Sequence, residues 1–306
     1  MGSPDFAVPS LEAVAQAHEL VAVVTQPDRP RGRGRSVAAP AVKIAARSLD
    51  VEILQPERIR GRAMRERLMR YRPDLIVVVA FGQILSPRLL EDPPLGCINV
   101  HGSLLPAYRG PAPIQWAVLR GESRSGVTTM RMAPGVDTGP MLLSRAVALR
   151  PDETAGSLQE RLAPLGAELL LETLDGLRQG ALVAVPQDDR LASQAPLLRK
   201  EDGWVDFARP AREVDCWIRG MDPWPGAFCA LGDERIKLFR SRVVTDGGAP
   251  GEVLACDDRG LLVACGEGAV WIAELQRPGR RRLAARDLAV GRAIPAGTQL
   301  GAHSGS

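Results

Sequence analysis

The 306 residues carry 39 Lys and Arg against 36 Asp and Glu, a formal net charge of +3, and 45% of them are hydrophobic. This composition is globular, long enough for two domains with cores of their own, and too mild in charge to declare a polyanionic partner by itself. The longest apolar run, residues 75–81, is far short of the ~20 residues a membrane helix needs. Three histidines and no H-E-x-x-H exclude a histidine-rich zinc site, and five scattered cysteines without C-x-x-C spacing read as reduced intracellular thiols. Neither a Walker A loop nor a G-x-S-x-G elbow is present.

The chain opens Met1-Gly2-Ser3-Pro4-Asp5-Phe6, a turn-like segment leading into a helix from about Ser10. In a doubly wound sheet a strand precedes such a turn, and none does here; the reading adopted is a start assigned too late, so that the first strand is missing. Strands are expected at 20–25 and 51–54, with a helix at 40–47 between them and a basic amphipathic helix at 58–71. Residues 75–80 are continuous and β-branched, as in a parallel strand covered on both faces. A strand at 97–100, a helix at 113–120 and strands at 126–132 and 141–147 follow. Strands alternating with helices predict an α/β domain built on an open, mostly parallel sheet.

Thr154 signals the N-cap of a long helix running through Leu158, Leu162, Leu165, Leu169 and Leu170 to about Leu177. The pattern then decays into Pro, Gln, Asp and Ser, which reads as a linker over 181–203. Short strands recur at 227–231, 235–240, 251–255, 261–265 and 269–275, the spacing of a small β-barrel. The expected organisation is therefore 1–180, the linker, a barrel domain over 204–300, and a disordered tail at 301–306.

Chemistry concentrates where the strand at 97–100 ends. Asn99 and His101, two apart, share one side of that strand at the carboxyl edge of the sheet, the edge where open α/β folds bind ligands. An amide beside an imidazole can hold a developing oxyanion, worth ~3 kcal/mol per donor in the transition state. Read alone, Asn99 is a turn residue and His101 an ordinary core histidine. The Gly/Pro-rich stretch that follows, as far as Gly110, argues for function, because a long ordered loop in this location usually carries it. Asp137, in the loop Pro134-Gly135-Val136-Asp137-Thr138-Gly139, is either an Asx-turn or a carboxylate that reaches the imidazole and relays a proton. The segment 26–35 carries Arg29, Arg31, Arg33 and Arg35 with Gly32 and Gly34: a solvated charged loop, or one that closes on phosphates and unpaired bases. Arg277, Arg280, Arg281 and Arg282 form a second basic cluster. Asp222-Pro223-Trp224-Pro225-Gly226 reads as a structural corner.

Together, Asn99-Val100-His101-Gly102-Ser103-Leu104-Leu105-Pro106, Tyr108-Arg109-Gly110 and Gly135-Val136-Asp137-Thr138-Gly139 resemble the core of the 10-formyltetrahydrofolate-dependent formyltransferases. The loop Thr25-Gln26-Pro27-Asp28-Arg29-Pro30 and the corner 222–226 narrow the resemblance to members that act on methionyl initiator tRNA. It covers essentially the whole chain. It implies a Rossmann-like catalytic domain followed by an OB-like barrel that helps hold tRNA, and a cytoplasmic, monomeric enzyme of translation initiation. The catalytic trio would be Asn99, His101 and Asp137. Ser103, Leu104, Leu105 and Pro106 would contact the folate; Arg29, Arg31, Arg33 and Arg35 would meet the tRNA. The formyl donor would be 10-formyltetrahydrofolate, with no metal.

Rival expectations remain at this level. A formyltransferase for a small amine, such as a sugar nucleotide or glycinamide ribonucleotide, shares the core motif but needs neither the arginine loop nor the barrel. A catalytically silent RNA-binding protein would not need the trio. A nicotinamide oxidoreductase would need a glycine fingerprint that Gly32-x-Gly34 does not complete.

Overall fold

The computed structural model describes residues 1–31, 36–284 and 294–301, with the backbone alone at 31 and 36. The chain divides into two compact units. The first comprises Met1–Pro113, Ser125–Val147 and Gln159–Pro196; the second comprises Ile114–Arg124, Ala148–Leu158 and Leu197–Ser306.

In chain order the elements begin with α1 (Val8–Ala17), β1 (Ala22–Val24), β2 (Arg29–Arg31), β3 (Ser36–Ala38), α2 (Ala41–Ala46), β4 (Glu52–Leu54) and α3 (Arg62–Met69). There follow β5 (Ile76–Val78), α4 (Pro87–Glu91), β6 (Cys97–His101), α5 (Pro113–Leu119), β7 (Arg124–Arg131), β8 (Met141–Ala148) and α6 (Ala155–Arg178). β1 pairs with β4 and β5 with β6, both parallel, as α-helical crossovers require, whereas β7 runs antiparallel to β6. The pattern is thus Rossmann-like on one side and reverses after β6, where β7 and β8 extend the sheet in the order β5-β6-β7-β8. β6 is buried at all five residues, the signature of a strand with neighbours on both edges. Ile59, Leu68, Ile76, Val78, Phe81, Leu89 and Cys97 pack into one apolar cluster beside it.

α6 starts as its sequence dictates. The Ser157 amide donates to Thr154 Oγ1 (3.1 Å) and the Thr154 amide donates to Ser157 Oγ (3.0 Å), a reciprocal cap that satisfies two donors at the helix start.

The strand expected before the opening turn is represented by Met1 and Gly2. The Gly2 amide donates to the Val24 carbonyl at 3.0 Å and the Val79 amide donates to the Met1 carbonyl at 2.9 Å, so these residues bridge the ends of β1 and β5. Below them, at the amino ends of the strands, lies a groove of about 630 Å³ lined by Leu20, Ala22, Ile76, Val77, Leu174 and Leu177. The Met1 ammonium donates to the Val77 carbonyl at 2.6 Å and is buried, and that burial pushes its pKa down to about 6.

The second unit adds α7 (Ala211–Gly220), β9 (Phe228–Leu231), β10 (Glu234–Val244), β11 (Val253–Asp257), β12 (Gly260–Ala264), β13 (Ala269–Gln276) and β14 (Leu283–Ala284). These strands form one antiparallel sheet in the order β11-β12-β13-β10-β9, with β14 on β13. Residues 299–301 bridge both of its edges: Gln299 pairs with Glu252 beside β11, and Gly301 with Ala230 of β9. The sheet therefore curls into a half-barrel where the sequence spacing suggests a small barrel, and 297–301 pair along both of its edges. Gly301, assigned to the tail by the sequence reading, is one of these paired residues; 302–306 lie outside the described residues. Among the described residues no helix is long and apolar enough to cross a membrane.

For the chain with a free amine at Met1, the folded state binds the α-amine proton less readily than the unfolded state, whose pKa lies near 8.0. Between about pH 6 and 8 unfolding therefore takes up a proton, and stability rises with pH. The full span is worth roughly 2–3 kcal/mol at about 1.36 kcal/mol per pH unit. Urea titrations across this range should show the rise, and acetylation of the amine should remove it; a flat profile for the free amine contradicts the burial.

Candidate active site

Residues two apart on a strand face the same way, so Asn99 and His101 leave the carboxyl end of β6 together. They stand opposite Met130 and Thr128 of β7. Both are buried.

Asp137 reaches them from the loop between β7 and β8. Its backbone is left-handed, φ +53°, a conformation Asp tolerates better than most residues. The loop closes tightly on its own stem: a Cβ at Gly139 would lie 1.8 Å from the Arg131 carbonyl, so only glycine fits there. The carboxylate accepts from the Gly110 amide at 2.9 Å (Oδ2) and from the Asn99 side-chain amide at 3.5 Å (Oδ1). His101 Nδ1 lies 3.6 Å from Oδ2. That separation is wider than a hydrogen bond, as catalytic contacts often are before substrate closes the site.

The imidazole's other nitrogen decides its tautomer. Nε2 is 2.9 Å from the Tyr108 carbonyl, which can only accept, so Nε2 carries a hydrogen. Nδ1 is then the nitrogen that faces the Asp137 carboxylate. The Asn99 amide, held only at the limit of hydrogen-bond length, stays available as a donor. Gly110 supports the arrangement in a way no other residue could. Its φ is +120°, and a Cβ there would meet the Ala195 carbonyl at 2.7 Å.

The turn 103–106 separates into two kinds of residue. The Ser103 hydroxyl donates to the Ala107 carbonyl at 2.6 Å, and Leu105 is buried with its amide on Thr128 Oγ1 at 3.2 Å. Thr128 in turn donates to the Ser103 carbonyl at 2.7 Å. Ser103 and Leu105 thus fix the turn, while the half-buried Leu104 and Pro106 are the members that retain surface.

The sequence reading missed the floor of this site. Residues 187–195, within the stretch expected to be a linker, lie on the turn: the Arg109 amide donates to the Ser193 carbonyl (2.8 Å) and the Ala195 amide to the Arg109 carbonyl (2.7 Å). Gln187 donates to the Asp137 and Gly139 carbonyls, and the buried Arg109 reaches Gln187 and Asp189. A polar stretch with no apolar periodicity carries no signal for such a contact.

Of the basic segment, β2 and β3 make a hairpin, with Arg29 opposite Ala38, where the sequence suggested only a loop. Arg29 is exposed, its guanidinium 3.5 Å from Gln26 Oε1. The side chain of Arg31, and Arg33 and Arg35 entirely, lie outside the described residues. The Gln55 amide first, and the Lys43 ammonium second, hold the Asp28 carboxyl below its ordinary value at the base of this hairpin.

Cys97, two residues before Asn99, is no rival nucleophile. Burial pushes its thiol up to about 12, far from the thiolate form. The groove near Met1 is no rival site either, since it opens at the amino ends of the strands, away from the polar trio.

Residues 2–174 match the family model described as formyl transferase, and residues 197–293 match the formyl transferase C-terminal domain. The chain is 51% identical to the methionyl-tRNA formyltransferase of Pelobacter propionicus over 302 residues, 98% of this chain and 95% of that one. It is 49% identical to the methionyl-tRNA formyltransferase of Citrifermentans bemidjiense, covering 100% and 96%. Among solved structures it is similar in fold to the N-formyltransferase of Helicobacter canadensis in complex with folinic acid and dTDP-3-aminofucose. That match has a TM-score of 0.67 at 18% identity, covering 90% of this chain and 97% of that one.

Nitrogen NMR of His101 should find the resting proton on Nε2, and Asp137→Asn should displace the Nδ1 resonance more than that of Nε2. A resting proton on Nδ1 alone overturns the tautomer assigned above.

Proposed function

The chain belongs to the formyl transferase family, and from that premise we propose that it moves the formyl group of 10-formyltetrahydrofolate onto the α-amine of methionine esterified to initiator tRNA. The observation that carries this reading is the likeness to methionyl-tRNA formyltransferases at about half identity along nearly the whole chain, C-terminal domain included. A small-amine acceptor has no comparable support, because the sugar-modifying neighbour shares the fold alone.

The folate supplies the formyl carbon and takes up a proton at N10 as it leaves. The amine attacks that carbon, a C–N bond forms, a tetrahedral intermediate carries an oxyanion, and the bond to N10 breaks. The Asn99 amide donates to the oxyanion, and His101, when doubly protonated, adds positive charge beside it. Asp137, anchored by the Gly110 amide, orients the imidazole and accepts proton character from Nδ1, so the proton lost by the amine has a route to N10. Leu104 and Pro106 face the folate, and Ser103 and Leu105 hold the turn beneath them. Residues 1–180 carry the chemistry, 204–300 help hold the tRNA, and 181–203 connect them in the chain. Arg29, Arg31, Arg33 and Arg35 contact the phosphates or unpaired bases of the acceptor end, seconded by Arg277, Arg280, Arg281 and Arg282. The enzyme acts in the cytoplasm as a monomer.

With formyl donor and charged tRNA, the protein should formylate methionyl initiator tRNA and leave elongator tRNA largely unmodified. Formylation of an amino-sugar nucleotide in place of tRNA overturns the assignment. Asn99→Ala, His101→Ala and Asp137→Ala should each lower kcat by about a hundredfold or more while tRNA binding survives. Replacing Arg29, Arg31, Arg33 and Arg35 with Ala should raise KM for tRNA and flatten its salt dependence, by about 0.7–0.9 in log–log slope for each phosphate no longer neutralised. An unchanged slope removes the hairpin from the tRNA interface.

A further inference from the structure

Both the side chain and the main chain of Asp137 are tethered to the same dipeptide. Gly110 donates its amide to the carboxylate at 2.9 Å. Arg109, next to it, acts on the backbone through an intermediary: its Nε donates to Gln187 Oε1 at 2.9 Å, and Gln187 Nε2 donates to the carbonyls of Asp137 at 2.8 Å and Gly139 at 2.7 Å. A primary amide has one carbonyl and two N–H groups, and here all three are used. The guanidinium, by occupying the carbonyl, settles which way the amide is turned, and so presents both N–H groups to the loop. Arg109 is itself held. Its second branch donates to Asp189 Oδ1 at 2.8 Å, its main chain is paired with residues 193–195, and its side chain is 7% exposed. The loop being gripped has a left-handed non-glycine residue at its centre, a conformation that its surroundings must hold in place.

We propose that Gln187, oriented by Arg109, is a positioning residue for formyl transfer: it fixes the Asp137 backbone so that the carboxylate faces His101 Nδ1. The proposal rests on the functional reading above, since it assigns a task within that reaction. It gives the 187–195 stretch a role in the chemistry rather than in joining two domains.

Two variants separate a donor role from simple packing. Gln187→Ala removes the grip. Gln187→Glu keeps the size and offers Arg109 a carboxylate, but has no N–H for the two carbonyls. Both should lower kcat about tenfold or more while KM for folate donor and for charged tRNA stays within about twofold, because only transition-state geometry is lost. Both should displace the His101 Nδ1 resonance, and in an Asp137→Ala background Gln187→Glu should cause no further loss. Arg109→Lys, which lacks the planar fork, should show a smaller drop of the same kind.

A Gln187→Glu enzyme within twofold of the parent kcat overturns the proposal, as does an equal loss in the Asp137→Ala background. Failure of both Gln187 variants to fold makes the residue a folding element and overturns it too. Should the parent chain not formylate methionyl-tRNA at all, the functional reading falls, and the His101 resonance alone decides whether Gln187 positions the Asp137 loop.

Discussion

A carboxylate largely withdrawn from water must be surrounded by donors, and at Asp137 that requirement organises everything nearby. Its side chain is 17% exposed and takes its hydrogen bonds from the Gly110 amide and the Asn99 side chain, with His101 behind them. Gly110 can approach only because it lacks a Cβ, which frees it to pass close to Ala195. The loop can carry Asp137 to that position only because Gly139 lets it cross the Arg131 carbonyl. Two glycines and one carboxylate, drawn from two separate loops, thus act as a single structural commitment.

The parallel strands deliver the remaining partners. β6 is enclosed on both edges, so its register is firmly set, and a slip of one residue would turn Asn99 and His101 to the opposite face. The reversal of direction between β6 and β7 has a use as well. Because β7 runs back alongside β6, Thr128 stands opposite His101 and can tie down the turn carrying Leu104 and Pro106. The second unit is built on different physics, a curled antiparallel sheet with arginines over aromatic rings: Arg259 over Trp271 at 4.3 Å and Arg282 over Phe239 at 3.9 Å.

Much of this was legible in the residues. The apolar stretch at 97–100 locates β6, and residues two apart on a strand share a side, hence the pairing of Asn99 with His101; the Thr154 cap locates α6 to within a residue. The apolar spacing after residue 226 located the strands of the curled sheet. What stayed hidden depended on contacts across the chain. No local pattern distinguishes Gln187 in Pro186-Gln187-Asp188 from any surface glutamine, and a polar stretch that packs by hydrogen bonds looks like a linker. A motif does not show which of its members face inward, as the buried Ser103 and Leu105 do beside the half-buried Leu104 and Pro106. The hairpin of β2 and β3 escaped because Arg and Pro are poor strand formers, and pairing across the chain overrode that preference.

Residues 297–301, which pair with β9 and with the start of β11, follow every other strand of their sheet in the chain. A ribosome therefore releases β9 to β13 before the segment that closes the β11 edge and the part of the β9 edge that Trp204 does not pair. During that interval the nascent sheet offers unpaired backbone to neighbouring chains, a hazard that vectorial production imposes on this half of the molecule.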